Sequence, residues 1–248
     1  MGVGEIAEAL VRGLSESTAV PPKIHLSPRG ARTSTELSAR YENARVRADN
    51  QDVVDRSDLV FLAVRPENRF EALGGLHVHS DKVLVNVMAG VADSDVRSIL
   101  VTRASLVRAI PLPSVQDRRS VTITCPPHSE VDALFEELGG VLPARDEREF
   151  NVYSTLTATL TAHYQYLATL TGWAEEHGVT PEHADRCVRA LFRGLCRALG
   201  DHTRSLHELA SDHETPGGIN EQIRRAWFGP SNVQALEQTL DVLLDEMT

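Results

Sequence analysis

The chain opens on residues whose types and spacing suit an anion. Gly2, Gly4 and Ala7 form a G-x-G-x-x-A pattern directly before a helical stretch. In such a pattern the first glycine permits a tight turn and the second lets the backbone approach a pyrophosphate. The small third residue lets helix and strand pack closely. The helix N-terminus then presents unpaired N–H groups to the negative charge. An ordinary glycine-rich turn looks the same in isolation, so the alternating strands and helices downstream of Ala7 supply the weight. At the end of the next strand, where an NAD-selective site carries an acidic residue, the chain has Ser27, Arg29 and Arg32. A hydroxyl and guanidinium groups suit a 2′-phosphate, which predicts NADP (NADPH) rather than NAD.

A second reactive group lies late in the chain. His163, Tyr164 and Tyr166 fall in a helical stretch. Residues 163 and 166 share a helix face while 164 points elsewhere. Tyr166 is the candidate proton donor, with packing at an interface as its alternative role. His77 and His79 alternate without a third ligand nearby, so no metal site is expected. Cys125, Cys187 and Cys196 are too scattered for a disulfide framework or a zinc site. Cys187 and Cys196 read as small core residues.

The elements that position these residues change character along the chain. Strands are expected at Lys23–Ser27, Ala44–Ala48, Asp58–Val64, Lys82–Met88, Ser105–Ala109, Val121–Cys125 and after Gly140. Helices are expected at Ile6–Leu14, Ala31–Asn43, Asp52–Ser57 and Val131–Leu138. The runs DLVFLAV and KVLVNVM are continuous and β-branched, as in parallel strands covered on both faces. Alternation of strands and helices predicts a doubly wound parallel α/β sheet. Only Met1 precedes Gly2, whereas the fingerprint should follow a central strand, so a gap in the sheet is expected there. Beyond about residue 147 no strand pattern remains. Helices are expected over Glu149–His177, Pro181–Gly200 and Ser231–Glu246, with Thr180 as N-cap before Pro181. The division is therefore residues 1–147, cofactor-binding, and 148–248, all-helical.

The 248 residues are 42% hydrophobic with a formal net charge of -10. That charge excludes broad contact with nucleic acid or an anionic membrane surface. No apolar run reaches the roughly 18 residues of a membrane helix, and the start lacks a signal-peptide pattern, so a cytoplasmic setting is expected.

The sequence resembles the pyrroline-5-carboxylate reductases. The resemblance rests on GVGEIAEAL (Gly2–Leu10), DNQDVVDRSDLVFLAVRP (Asp49–Pro66), NVMAGV (Asn86–Val91), VRAIP (Val107–Pro111) and TPGGIN (Thr215–Asn220). It implies a Rossmann-like domain, a helical dimerisation domain, and reduction of the cyclic imine 1-pyrroline-5-carboxylate to L-proline. It also implies a homodimer, or a larger assembly of dimers. Gly2, Gly4, Glu5, Ile6, Ser27, Arg29, Asn50, Ala63, Val64, Arg65, Pro66, Ala89 and Gly90 would contact cofactor, with Asn50 on the adenosine ribose. Thr215, Gly217, Gly218, Ile219 and Asn220 would hold the substrate carboxylate, and Tyr166 would lie near the imine.

The departures fall in the substrate half. An MPNTP-like run is replaced by Ile110-Pro111-Leu112-Pro113, and SGSGPAY by LTAHYQY over residues 160–166. The two hydroxyl residues usual after PGG are Ile219 and Asn220. Two other readings stay open: a non-catalytic NADP-binding sensor or pseudoenzyme, and a β-hydroxyacid dehydrogenase-like oxidoreductase. Against the latter, no lysine comes after Lys82 to serve as its acid/base.

Overall fold

The computed structural model describes residues 1–17 and 20–247. They fall into two compact units, Met1–Tyr153 and Ser154–Thr248. The first unit alternates α1 (Glu5–Ser17), β1 (Ile24–Leu26), α2 (Ala31–Arg40), β2 (Ala44–Val46), α3 (Asn50–Asp55) and β3 (Leu59–Leu62). It continues with α4 (Arg69–Leu73), β4 (Val83–Asn86), α5 (Asp93–Ile99), β5 (Ser105–Ile110), β6 (Thr122–Cys125), α6 (Ser129–Glu137) and β7 (Val141–Pro143). Next in the chain is α7 (Glu147–Thr157).

The strands form a two-stranded sheet, β1-β2, and a five-stranded sheet in the order β3-β4-β5-β6-β7. Side chains alternate across the larger sheet, so each strand feeds two cores. On one face Val60, Leu62, Leu84 and Leu106 pack with Val54, Leu73, Val96 and Leu100. On the other, Val83, Val85, Val107 and Ala109 pack with Leu10, Leu14, Val131 and Phe135. That two-sided burial is why the strand sequences are continuously apolar.

All pairings are parallel except β5–β6, which is antiparallel. The one antiparallel pair in this mainly parallel sheet has a reason of length. Only a short 3₁₀ turn, Pro113–Asp117, sits between the two strands, whereas a parallel return needs a crossover of a dozen or more residues. The same turn packs on α1. A Cβ on Gly13 would lie 2.7 Å from the Val115 carbonyl oxygen, so glycine is what lets α1 approach it.

The second unit is helical: the end of α7, then α8 (Thr159–Glu176), α9 (Pro181–Leu199), α10 (Leu206–Asp212), α11 (Ile219–Trp227) and α12 (Pro230–Asp245). The single helix expected over Glu149–His177 breaks at Ala158. The Thr157 and Thr159 hydroxyls donate to the Ser154 and Leu156 carbonyls at 2.7 Å each, and the Ala158 N–H turns to the Thr155 carbonyl. Such side-chain bonds compete with the regular ladder and bend a helix. Cys187 and Cys196 are exposed rather than core, because α9 buries only Ala184 and Val188. No helix among the described residues is long and apolar enough to cross a membrane.

Candidate functional site

The glycine-rich turn is anchored from three sides. Gly2 has φ +76°, and its N–H donates to Ser27 Oγ at 3.0 Å. Ser27 is buried, and its carbonyl accepts from Ser34 Oγ at 2.9 Å. A Cβ on Gly2 would fall 2.6 Å from the Ala63 carbonyl oxygen. The Met1 amino group donates to the Phe61 carbonyl at 2.5 Å, and the Ala63 N–H donates to the Met1 carbonyl at 2.8 Å. Met1 is thus one parallel rung opposite Leu62, and burial pushes its amino group down to about 5. Beside this rung a cavity of about 440 Å³ separates β1 from β3, walled by Leu10, Leu14, Ile24, Leu26 and Phe61.

These contacts gather most of the expected cofactor residues at the carboxyl ends of β1, β3 and β4. Gly4 precedes the first turn of α1, and a Cβ there would meet nothing within 4 Å. Glu5 and Ile6 begin that helix, with Glu5 exposed. Arg29 pairs with Glu71 at 2.9 Å, and both side chains are about half-exposed or more. Asn50 donates to the Ala72 carbonyl at 3.0 Å. Arg65 is exposed and caps the short turn at Pro66. Val64 packs against the core cluster that contains Met88 and Val91, and the Val87 N–H donates to the Leu62 carbonyl at 3.2 Å, so the segments that leave β3 and β4 start side by side. Ala89 and Gly90 are exposed, and Gly90 has φ +69°.

Sequence reasoning missed what holds that last turn. Asn86 is buried. It donates to the Val91 carbonyl at 2.9 Å and accepts from the Met88 N–H at 3.1 Å. The signal was a polar residue closing the apolar run KVLVN. Asp93 stands at the start of α5. Its Oδ1 is buried without a hydrogen-bond partner among the described residues. Burial pushes its carboxyl up to about 6, Glu147 adding to the rise and Arg108 opposing it.

In the helical unit, His163 and Tyr166 share a face as their spacing predicts. Both rings meet Phe192 edge-on, at 5.9 and 5.7 Å between centroids. Tyr166 also stacks on Trp227 at 4.9 Å, while Tyr164 is exposed. The Thr215–Asn220 turn opens α11, with Gly218 at the N-cap. Gly217 has φ +72°, and its N–H donates to Glu221 Oε2 at 2.7 Å. Gly218 N–H donates to the Thr215 carbonyl at 2.7 Å, and the Asn220 amide to the His213 carbonyl at 2.7 Å. Ile219 is exposed.

Residues 1–90 match the family described as NADP oxidoreductase coenzyme F420-dependent. Over 96% of its length the chain is 22% identical to pyrroline-5-carboxylate reductase 2 of Bacillus subtilis, covering 91% of that protein. Among solved structures, a pyrroline-5-carboxylate reductase from Coxiella burnetii superposes with TM-score 0.82 at 18% identity, over 98% of this chain and 94% of that one. Over nearly its whole length the chain is similar to pyrroline-5-carboxylate reductases. The Plasmodium falciparum pyrroline carboxylate reductase, solved with NADP bound, superposes with TM-score 0.79 at 15% identity, over 100% of this chain and 95% of that one. At these identities the superpositions establish the fold alone, a Rossmann-like sheet followed by helices. In this chain the stretch 160–166 carries aromatic rings on one helix face, and the turn after Pro216 holds the Glu221 carboxylate.

Proposed function

We propose that this chain reduces a cyclic imine with NADPH, in the manner of its relatives that convert 1-pyrroline-5-carboxylate to L-proline. The observation that carries the reading is the convergence of the Gly2 turn, the Ser27–Arg29 segment, Ala63–Pro66 and Met88–Gly90 at one edge of the sheets. Ligands of open α/β sheets bind in that position.

The residues present fit a nicotinamide dinucleotide. The backbone at Gly4 is bare where a pyrophosphate would approach. The first N–H groups of α1 face the same space. Arg29 is tied only to an exposed glutamate, a pair worth little in water and readily exchanged for a phosphate. Gly2, Gly4, Glu5 and Ile6 would then line the pyrophosphate, Arg29 the 2′-phosphate, and Asn50 the ribose. Val64, Arg65, Pro66, Ala89 and Gly90 would line the nicotinamide side. When bound, the cofactor supplies a hydride to the imine carbon. The imine nitrogen takes its proton from water or from Tyr166, so that C=N becomes CH–NH. The clasp made by Asn86 holds the Met88–Gly90 turn in place for this.

Residues 1–147 form the cofactor-binding part in this reading, and 148–248 the substrate and dimerisation part. Supporting a second copy, the helical unit buries only Ala184 and Val188 among its described apolar side chains. Trp173, Leu191, Ile223, Trp227 and Val242 stay exposed, more apolar surface than a lone 95-residue unit leaves bare. A cytoplasmic setting suits the three free cysteines.

The test is NADPH oxidation measured at 340 nm with and without added imine. Imine-dependent oxidation with a cyclic amine as product supports the reading. NADPH binding without turnover of any cyclic imine supports the sensor instead.

A further inference from the structure

At the end of β1, where an NAD-selective site carries an acid, this chain has Ser27. The fold returns a carboxylate to that place from another element. Glu71, on α4, meets the Arg29 guanidinium at 2.9 Å. Arg29 lies in the segment that leaves β1 and passes the glycine-rich turn, because a Cβ on the next residue, Gly30, would lie 3.6 Å from the Val3 carbonyl oxygen. α4 is fixed from its other side. Ala72 and Leu73 are buried, and the Asn50 amide donates to the Ala72 carbonyl at 3.0 Å. Glu71 thus hangs from an anchored backbone with its side chain 70% exposed, reaching towards the same space as Arg29.

The two arginines that follow β1 are not equivalent. Arg32 pairs with Glu36 one turn along its own helix at 2.8 Å and is 90% exposed. That pair joins nothing outside α2. The Arg29–Glu71 pair joins two separate elements beside the glycine-rich turn, so whatever Arg29 holds, Glu71 also meets. A 2′-phosphate is an anion. It must draw Arg29 away from Glu71 and then sit near a like charge. A 2′-hydroxyl is a donor. A carboxylate has room for about four hydrogen bonds, so Glu71 can accept from a hydroxyl without giving up Arg29. An exposed ion pair contributes little, so opening it for the phosphate costs little.

We infer that Glu71 is a cofactor-specificity residue that reads the ribose 2′-hydroxyl, so that this chain takes NADH as well as NADPH. The Arg29–Glu71 pair stays closed for the first and opens for the second. The inference rests on the nicotinamide-cofactor reading and deepens it: the acid missing from the end of β1 is supplied by α4.

The experiment measures Kd for NADPH and for NADH by nicotinamide fluorescence on the unmodified protein, Glu71→Ala and Glu71→Gln. In Glu71→Ala the ratio of the NADH Kd to the NADPH Kd is expected to rise about tenfold, since NADH loses its acceptor and the phosphate loses a competitor and a like charge. Glu71→Gln keeps an acceptor but no charge, so NADPH should tighten about threefold while NADH weakens less than in the alanine variant. Displacement by 2′,5′-ADP and by 5′-AMP repeats the comparison without the nicotinamide, and the same shift in ratio is expected. Glu36→Gln, which frees Arg32 instead, should leave both cofactors within about twofold. Unchanged NADH affinity in Glu71→Ala overturns the inference. So does a shift that the adenosine fragments do not reproduce, or one that Glu36→Gln reproduces in full; in each of these cases cofactor binding itself still stands. If neither cofactor binds the unmodified protein, the nicotinamide reading falls and takes this inference with it.

Discussion

Gly2 and Gly4 carry the same letter in the same motif, yet their surroundings give them different work, and a pair of substitutions separates the two. Gly2→Ala must adopt φ +76°, a left-handed conformation that costs an ordinary residue about 1–2 kcal/mol. Its Cβ would also stand 2.6 Å from the Ala63 carbonyl oxygen and 2.8 Å from the Val64 nitrogen. Those are backbone atoms that cannot rotate away, so overpacking adds about 1–3 kcal/mol. The sum, about 2–5 kcal/mol, is a large share of the ~5–15 kcal/mol that holds a domain together. Gly4→Ala meets nothing within 4 Å. Its effect on stability should stay within about 1 kcal/mol, the balance between a stiffer unfolded chain and a poorer N-cap. If a pyrophosphate rests on that bare backbone, the same methyl group costs about 1–3 kcal/mol of binding, roughly 5- to 150-fold in Kd. Urea unfolding and NADPH fluorescence titration on both variants measure the two effects separately. A Gly4→Ala protein with unchanged NADPH affinity would refute the placement of the pyrophosphate. A Gly2→Ala protein as stable as its parent would refute the strain argument.

Other outcomes depend on charges. Arg29→Ala is expected to weaken NADPH much more than NADH, and Glu71→Gln to tighten NADPH a few-fold by releasing Arg29 from its partner; equal effects on the two cofactors would show that Arg29 does not read the 2′-phosphate. The Met1 amino group falls from 8.0 unfolded to about 5 folded. The unfolded chain therefore binds the extra proton between those values, and stability present above pH 8 is lost as pH falls towards 5. The full shift corresponds to about 4 kcal/mol as an upper bound. His25, lowered by burial and by Arg47, adds to the same slope; urea midpoints that stay flat from pH 8 to 5.5 would contradict this. Asp93 behaves oppositely. Its carboxyl, raised from 3.8 to about 6, keeps its proton longer when folded, so it penalises stability as pH rises through that window. Asp93→Asn should stabilise the protein at pH 7 by about 1–2 kcal/mol after discounting for its partial exposure, and a lower Tm at pH 7 would count against the burial argument.

The strand runs DLVFLAV and KVLVNVM were legible because burial on both faces leaves an unbroken apolar signal. α4, α5 and α10 were not. Helices of five to seven residues carry too few turns for a periodic pattern and are held by their surroundings. The phosphate-type turn was readable from Gly2 and Gly4, but Gly13 was not, because its reason is a carbonyl more than a hundred residues away in Val115. The shared face of His163 and Tyr166 was evident from spacing alone. Their partners Phe192 and Trp227 come from other helices, which no local pattern announces. A glutamate in the first turn of a helix suits the dipole wherever it occurs, and only the folded turn shows the Glu221 carboxylate on the Gly217 N–H.

The rung formed by Met1 ties the cofactor turn to the hydrophobic core. Its side chain belongs to the same core cluster as Leu62, Leu84 and Met88, and its carbonyl receives the Ala63 N–H. Met1→Ala would remove a buried side chain, at about 2–5 kcal/mol, while leaving that backbone bond in place. Such a variant should therefore loosen the Gly2 turn and lower cofactor affinity, even though no residue expected to touch the cofactor has changed.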